Sequence, residues 1–149
     1  MAKRIAKKDD AKIFEMECVS DPKEIARVEK FLDKLNAAAK LDDGTFYRLL
    51  VASTEAVNNA IVHGNKADKR KKVFVTVVFK KNERIVFTVR DQGEGFDPKG
   101  LPSPIEDKNL LKTSGRGVFL MKELMDEVNY SFGKDGSKME LVINLKRLK

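Results

Sequence analysis

Glu55, Asn59 and His63 stand four residues apart in the stretch Ser53-Thr54-Glu55-Ala56-Val57-Asn58-Asn59-Ala60-Ile61-Val62-His63-Gly64-Asn65. On a helix they form one slowly drifting polar stripe, while Leu49, Leu50, Ala56, Val57, Ala60 and Ile61 supply an apolar remainder. A carboxylate and an amide buried there without partners would each cost about 1–3 kcal/mol. The stripe is therefore either an ordinary surface face or a polar wall with something polar in front of it. Two later motifs bear on that choice. Asp91-Gln92-Gly93-Glu94-Gly95 follows a strand-like run directly. Its carboxylate, next to glycines that let a ligand approach the backbone, suits an exocyclic amine such as adenine N6 as well as it suits a plain turn. Gly115-Arg116-Gly117 precedes a helix-like run and is either a flexible joint or a phosphate site built on free N–H groups and a helix dipole.

Other chemistries fail on pattern. No Gly-Lys-Ser/Thr follows a glycine loop, and the first strand is not followed by Gly-x-Gly-x-x-Gly. A single histidine and a single cysteine cannot build a zinc site without carboxylates. Asp42-Asp43-Gly44 lacks the alternating acids of a calcium loop.

These residues need elements to position them. Residues 12–19 alternate imperfectly and read as a first strand. Ser20-Asp21-Pro22 opens a helix, with proline near its first position and Glu24 in its first turn; Ile25, Val28, Phe31, Leu32 and Leu35 carry it to about Ala39. Asp42-Asp43-Gly44 is expected to break it, with a second helix over 45–63 closed by Gly64-Asn65 in a left-handed cap. Residues 73–79 and 84–90 read as strands joined by a short hairpin connection. Gly115-Arg116-Gly117 opens a third helix, whose apolar face is Val118, Leu120, Met121, Leu124 and Met125, and residues 127–132 and 139–145 close the chain as a hairpin. Between them, 96–114 lacks periodicity and holds Pro98, Pro102 and Pro104, which marks it as a lid. The pattern predicts an α+β, two-layer α/β sandwich: a mixed, mostly antiparallel sheet with three main helices on one face.

At 149 residues the chain suits one domain spanning 1–149, and 42% hydrophobic residues exclude a disordered chain. Cys18 alone cannot form an internal disulfide, the basic start lacks the apolar core of a signal peptide, and no apolar run is long enough for a bilayer. A cytoplasmic, soluble protein without membrane association is expected. The net charge of +7 is spread over separate clusters without interleaved aromatics, which favours solvated surface or an acidic or phosphate-bearing partner over direct nucleic-acid binding.

Taken together, Glu55-x-x-x-Asn59-Ala60-x-x-His63-Gly64, Asp91-x-Gly93-x-Gly95 and Gly115-x-Gly117 resemble the three motifs of the Bergerat-fold ATPases, the histidine-kinase-like group that includes gyrase and mismatch-repair ATPases. The compact size and the run Met-Lys-Glu-Leu-Met-Asp-Glu-Val over 121–128 look most like the anti-sigma factor serine/threonine-protein kinases. The resemblance implies ATP and Mg²⁺, with Asn59 as the Mg²⁺ ligand, an amide oxygen suited to that hard ion, and Glu55 as the general base. Asp91 matches the adenine ligand, Gly93 and Gly95 shape the pocket, and Gly115, Arg116 and Gly117 wrap the phosphates. Ser137 falls, on a looser alignment, where a hydroxyl supports adenine, and His63 is read as capping its helix or orienting a neighbour. The implied partners are an anti-sigma factor antagonist protein, phosphorylated on serine or threonine, and an RNA polymerase sigma factor that is sequestered; a homodimer is left open. The rival reading is a nucleotide-gated switch that grips a partner without catalysing transfer.

Overall fold

The structure is a computed structural model that describes residues 3–8, 11–93 and 115–145. Gly95 and the stretch 96–114, expected as the lid, lie outside the described residues. Six strands line up in the order β1-β2-β3-β4-β6-β5, namely β1 Lys3–Lys8, β2 Ala11–Val19, β3 Lys72–Lys80, β4 Arg84–Arg90, β5 Glu127–Gly133 and β6 Gly136–Asn144. The sheet, expected as mixed and mostly antiparallel, is antiparallel in each of its five described pairings, with no parallel pair among the described residues.

Alternation decides which face is covered. Met16 and Cys18 of β2, Val73, Val75, Val77 and Phe79 of β3, Ile85, Phe87 and Val89 of β4, and Leu141 and Ile143 of β6 are buried in one core with the helices, and the residues between them point away. The helices are α1 Ile25–Ala39, α2 Asp43–Asn59 and α3 Gly115–Leu124. The first offers Val28, Phe31, Leu32 and Leu35, the second Leu49, Ala52, Ala56 and Val57, each of the larger side chains stabilising the fold by about 1.5–3 kcal/mol on full burial.

Local chemistry sets the helix boundaries. Asp21 is extended and its carboxylate accepts from the Lys23 N–H, with Pro22 at the first position of a 3-10 turn, Pro22–Glu24, that leads into α1. Lys40 ends α1 in the left-handed region at φ 54°. The second helix begins two residues earlier than the spacing predicts. The first helix does end at Ala39, and Asp42 caps the second, accepting from the Thr45 N–H at 2.7 Å, so Asp43 and Gly44 fall inside its first turn.

The far end of α2 also differs from expectation. From Ala60 to Gly64 the helix widens into a π turn, closed by the Asn65 N–H on the Ala60 carbonyl at 2.8 Å. Asn65 is right-handed at φ −93°, and the left-handed residues are Lys66 and Ala67 at φ 54° and 55°. The wide turn uses carbonyls that a left-handed cap at Gly64 would have closed, and the reversal moves two residues on. Its extra residue also ends the four-residue stripe: Glu55 and Asn59 are half-buried, whereas His63 is exposed.

Strand β1 is not foreseen by the sequence reading. Its six residues Lys-Arg-Ile-Ala-Lys-Lys offer little β propensity, and they pair along the free edge of β2, where lysines are tolerated. Strand β6 begins at Gly136, three residues before the predicted start. No described helix is long and apolar enough to cross a membrane.

Candidate functional site

Beyond β4 the chain stays in register with β6 for one more bond, the Asp91 N–H on the Ser137 carbonyl at 3.0 Å. This holds the Asp91 side chain inside the protein, 6% exposed. Its Oδ1 accepts from the Gly93 N–H at 2.9 Å and from the Ser137 N–H at 3.0 Å. Three glycines from separate segments wrap the carboxylate. A methyl group on Gly64 would overlap the carboxylate at Oδ2, one on Gly93 would overlap the Gly64 carbonyl, and one on Gly136 would overlap the Asp91 carbonyl. Gly136 also has a φ of 122°, which side-chain-bearing residues rarely adopt. One carboxylate oxygen is thus fixed by two backbone donors, and no described residue donates to the other.

Ser137, 7% exposed, carries a second polar layer. Its hydroxyl accepts from the Tyr130 hydroxyl at 3.0 Å. Burial holds the Tyr130 phenol above its ordinary pKa; the hydrogen bond with Ser137 opposes that shift, and the nearby Asp91 charge adds to it.

A second cluster lies along α2. Glu55 and Asn59 are half-buried and face Gly117 in the first turn of α3, where a methyl group would come within 2.6 Å of Glu55 Oε1 and 3.8 Å of Asn59 Nδ2. The opposite end of α3 is tied down too. Arg48 Nε donates to the Leu124 carbonyl at 2.7 Å, and its guanidinium lies 3.8 Å from Asp126. A cation at a helix C-terminus complements the dipole there, while Met121 and Met125 fill the space between.

The two clusters share one segment. Asn59 and Gly64 are five residues apart along the helix and its π turn, a rise of about 7 Å. Asn65 secures that segment. Its side-chain amide, 1% exposed, donates to Ser20 Oγ at 2.8 Å and to the Lys72 carbonyl at 3.0 Å, and accepts from the Gln92 N–H at 2.8 Å. The Ser20 hydroxyl donates to the Lys71 carbonyl at 2.8 Å, and the Gln92 side chain accepts from the Lys72 N–H at 2.6 Å. One buried amide therefore joins the end of the π turn to the residue after β2, to β3 and to the residue beside Asp91.

Among the residues singled out in the sequence, the structure brings Asp91, Gly93 and Ser137 together, and separately Glu55, Asn59 and Gly117. Gly115 and Arg116 open α3. His63 is exposed in the last turn of that segment, and Asn65 holds the neighbouring loop. Gly64, Asn65, Gly136 and Tyr130 are missed as site residues by sequence reasoning. For Gly64, Asn65 and Gly136 a signal was present, since each stands in a turn, but it reads equally well as ordinary punctuation. Tyr130 carries no local signal.

A helix-backed antiparallel sheet with a buried carboxylate at one strand end and an acid–amide pair on the adjoining helix is the layout of a nucleotide-binding α+β domain. The model of the histidine kinase-like ATPase domain matches residues 18–143, and the chain belongs to that family. It is 34% identical over 112 residues to the anti-sigma F factor of Anoxybacillus flavithermus, covering 73% of this chain and 75% of the relative. It is 42% identical over 87 residues to the serine-protein kinase RsbW of Bacillus licheniformis, covering 54% of this chain and 53% of that protein, about half its length. The crystal structure of the RsbU and RsbW domains of Rv1364c from Mycobacterium tuberculosis superposes with a TM-score of 0.67 at 17% identity, over 89% of this chain and 32% of that one, which bears on the fold alone.

Proposed function

We propose that this chain is an ATP-dependent protein serine/threonine kinase of the anti-sigma type, which phosphorylates a small antagonist protein and sequesters a sigma factor in the cytoplasm. The observation that carries the reading is the Asp91 carboxylate, fixed at Oδ1 by two backbone N–H groups and left with an acceptor at Oδ2. That acceptor fits the exocyclic amine of adenine. The names of the relatives, an anti-sigma F factor and a serine-protein kinase, support the same reading.

In this reading Asp91 and Ser137 bind the base, with Gly93 and Gly95 shaping the pocket. Gly115, Arg116 and Gly117 approach the phosphates, Gly117 because its missing side chain lets the first turn of α3 close over Glu55 and Asn59. The Asn59 side chain supplies an oxygen of the hard kind that Mg²⁺ prefers. A bound Mg²⁺ supplies charge that offsets the phosphate oxygens. Glu55 takes the proton from the serine or threonine hydroxyl of the partner. The hydroxyl oxygen bonds to the γ-phosphorus as the bond to the β–γ bridging oxygen breaks, and ADP leaves.

The test is transfer of label from γ-labelled ATP to the cognate antagonist by the wild type and by Glu55→Gln, which keeps the shape of the side chain against Gly117. The variant should lose about 10²–10⁴-fold in transfer rate, the usual contribution of a general base, while its nucleotide affinity stays within about twofold. Undiminished transfer removes Glu55 from the base role. A wild type that binds ATP and the antagonist yet transfers nothing is a nucleotide-gated switch instead.

A further inference from the structure

The third helix packs mainly on α2 and only lightly on β5, and its seam with α2 is smooth. Met121 and Met125 are buried there, and an unbranched thioether fills a shifted gap almost as well as the original one. Gly117 has no side chain to catch on Glu55 or Asn59. Such a seam resists separation far more than sliding. Among the described residues a single hydrogen bond joins the two helices, from Arg48 Nε to the Leu124 carbonyl at 2.7 Å. Leu124 is the last residue of α3, where a carbonyl has no helical N–H to take. The corner beyond it is fixed to the sheet, by the Asp126 N–H on the Val142 carbonyl at 2.8 Å and the Asn144 N–H on the Asp126 carboxylate at 2.6 Å. The Arg48 guanidinium lies 3.8 Å from that carboxylate, so one side chain ties α2 to both the helix end and its anchor.

The spacing turns this bond into a register pin. Arg48 and Glu55 stand seven positions apart on α2, and Gly117 and Leu124 seven apart on α3, which runs the opposite way. Seven residues are two turns, about 10 Å, on either helix. With Arg48 on Leu124, Gly117 therefore falls level with Glu55, and a slip of α3 along α2 would carry it off that level. We infer that Arg48 is a positioning residue for phosphoryl transfer, acting through α3 to hold Gly117 against Glu55 and Asn59; this rests on the kinase reading above. Arginine suits the task because its planar fork donates in two directions at once, to the carbonyl and toward the carboxylate. Its loss should misplace the groups at the far end of α3 and slow transfer, while the base pocket around Asp91, built from other segments, keeps its grip.

The experiment measures kcat for transfer from γ-labelled ATP to the antagonist protein, with calorimetric affinity for Mg·ATP in parallel. It compares the wild type, Arg48→Met, Arg48→Lys, Gly117→Ala and the double variant of Arg48→Met with Gly117→Ala. Arg48→Met keeps the apolar stem and removes the donors; its kcat should fall about 10- to 100-fold, the scale of a misplacement near 1 Å, with affinity for Mg·ATP within about threefold. Arg48→Lys, which still carries a donor for the carbonyl, should recover kcat to within about threefold of the wild type. In the Gly117→Ala background, where a methyl group already displaces α3 from Glu55, Arg48→Met should add less than about threefold. An unchanged kcat in Arg48→Met overturns the inference. So does an equal fall in kcat and affinity, a lysine variant no better than the methionine one, or a full-sized effect on top of Gly117→Ala. A wild type that transfers no phosphate removes the kinase reading and this inference with it; wild-type transfer with an unaffected Arg48→Met defeats this inference alone. If Arg48→Met does not fold, Arg48→Gln, too short to reach the carbonyl, takes its place with the same expected loss and the same refuting results.

Discussion

Substituting Asp91→Asn separates the two oxygens of the central carboxylate. The position of Oδ1 faces two backbone donors, at 2.9 and 3.0 Å, so the new amide oxygen has to take it. The reverse orientation would leave two buried N–H groups facing an NH₂, at about 1–3 kcal/mol each. The amide nitrogen then stands where Oδ2 was, beside Gly64. For folding, two charge-assisted hydrogen bonds become neutral ones, a loss of about 1 kcal/mol each, and the relief of a buried charge opposes that loss. The net destabilisation is at most about 2 kcal/mol, or about 4–8 °C in a domain of this size. For binding, under the proposed adenine assignment, an acceptor becomes a donor opposite the exocyclic amine. The loss of a bond to a charged group together with an unpaired donor comes to about 3–5 kcal/mol, more than a hundredfold in affinity. The assay pairs titration calorimetry with thermal unfolding, with and without Mg·ATP. At a hundredfold excess over its dissociation constant the nucleotide should stabilise the wild type by about 2.7 kcal/mol and leave the variant unmoved. Binding by Asp91→Asn within tenfold of the wild type would refute the assignment of Oδ2 to the base. A variant unfolded at room temperature would refute the claim that an amide fits the site.

Two further substitutions test the scaffold around the site. Asn65→Ala removes all three side-chain bonds of a buried amide and should lower stability by about 2–4 kcal/mol and weaken ATP binding as the Asp91 loop loosens; a midpoint within 3 °C of wild type, about 1 kcal/mol, contradicts this. Ser53→Ala should act in the opposite direction, because the Ser53 hydroxyl is fully buried with no hydrogen-bond partner among the described residues; thermal unfolding should show no change or a rise of up to about 3 °C, and a fall of that size would reveal a partner.

Much of the layout was legible because it rests on period. The alternation in 73–79 and 84–90 and the spacing Val28, Phe31, Leu32, Leu35 each specify one buried face, and the structure buries those faces. Asp91 and Gly93 stood out only alongside the other two motifs, since a carboxylate and a glycine two positions apart at a strand end read equally well as a plain turn; in the structure the Gly93 N–H meets Asp91 Oδ1. The contributions that escaped act across the sequence. Gly136 reads as half of a hairpin turn, yet the space it leaves is filled by the Asp91 carbonyl, 45 positions earlier. Tyr130 reads as an ordinary strand aromatic, and only the β5–β6 register, Tyr130 opposite Met139 and Phe132 opposite Ser137, sets its hydroxyl beside Ser137. Strand β1 escaped for another reason: its lysines fit only a sheet edge, and an edge cannot be recognised before the sheet is known.

The π turn shows why the four-residue spacing that exposes the site also misleads about its extent. Continued as an α-helix, the stripe would carry His63 into line with Glu55 and Asn59 and make it a third site residue. A π turn inserts one residue, closing its hydrogen bond over five positions rather than four, and the Asn65 N–H on the Ala60 carbonyl is that bond. The insertion has two consequences at once. It swings His63 out to solvent, and it brings the Gly64 backbone against the Asp91 carboxylate so closely that no side chain fits at 64. The polar stripe therefore ends at Asn59, and the same segment continues against the Asp91 carboxylate. Two sites of different chemistry, an acid–amide pair and a buried acceptor, are thereby spaced by a single continuous segment and not by a loop. Their separation is then set by backbone hydrogen bonds and the Asn65 side chain, which is the condition for one ligand to reach both without a rearrangement of the helix.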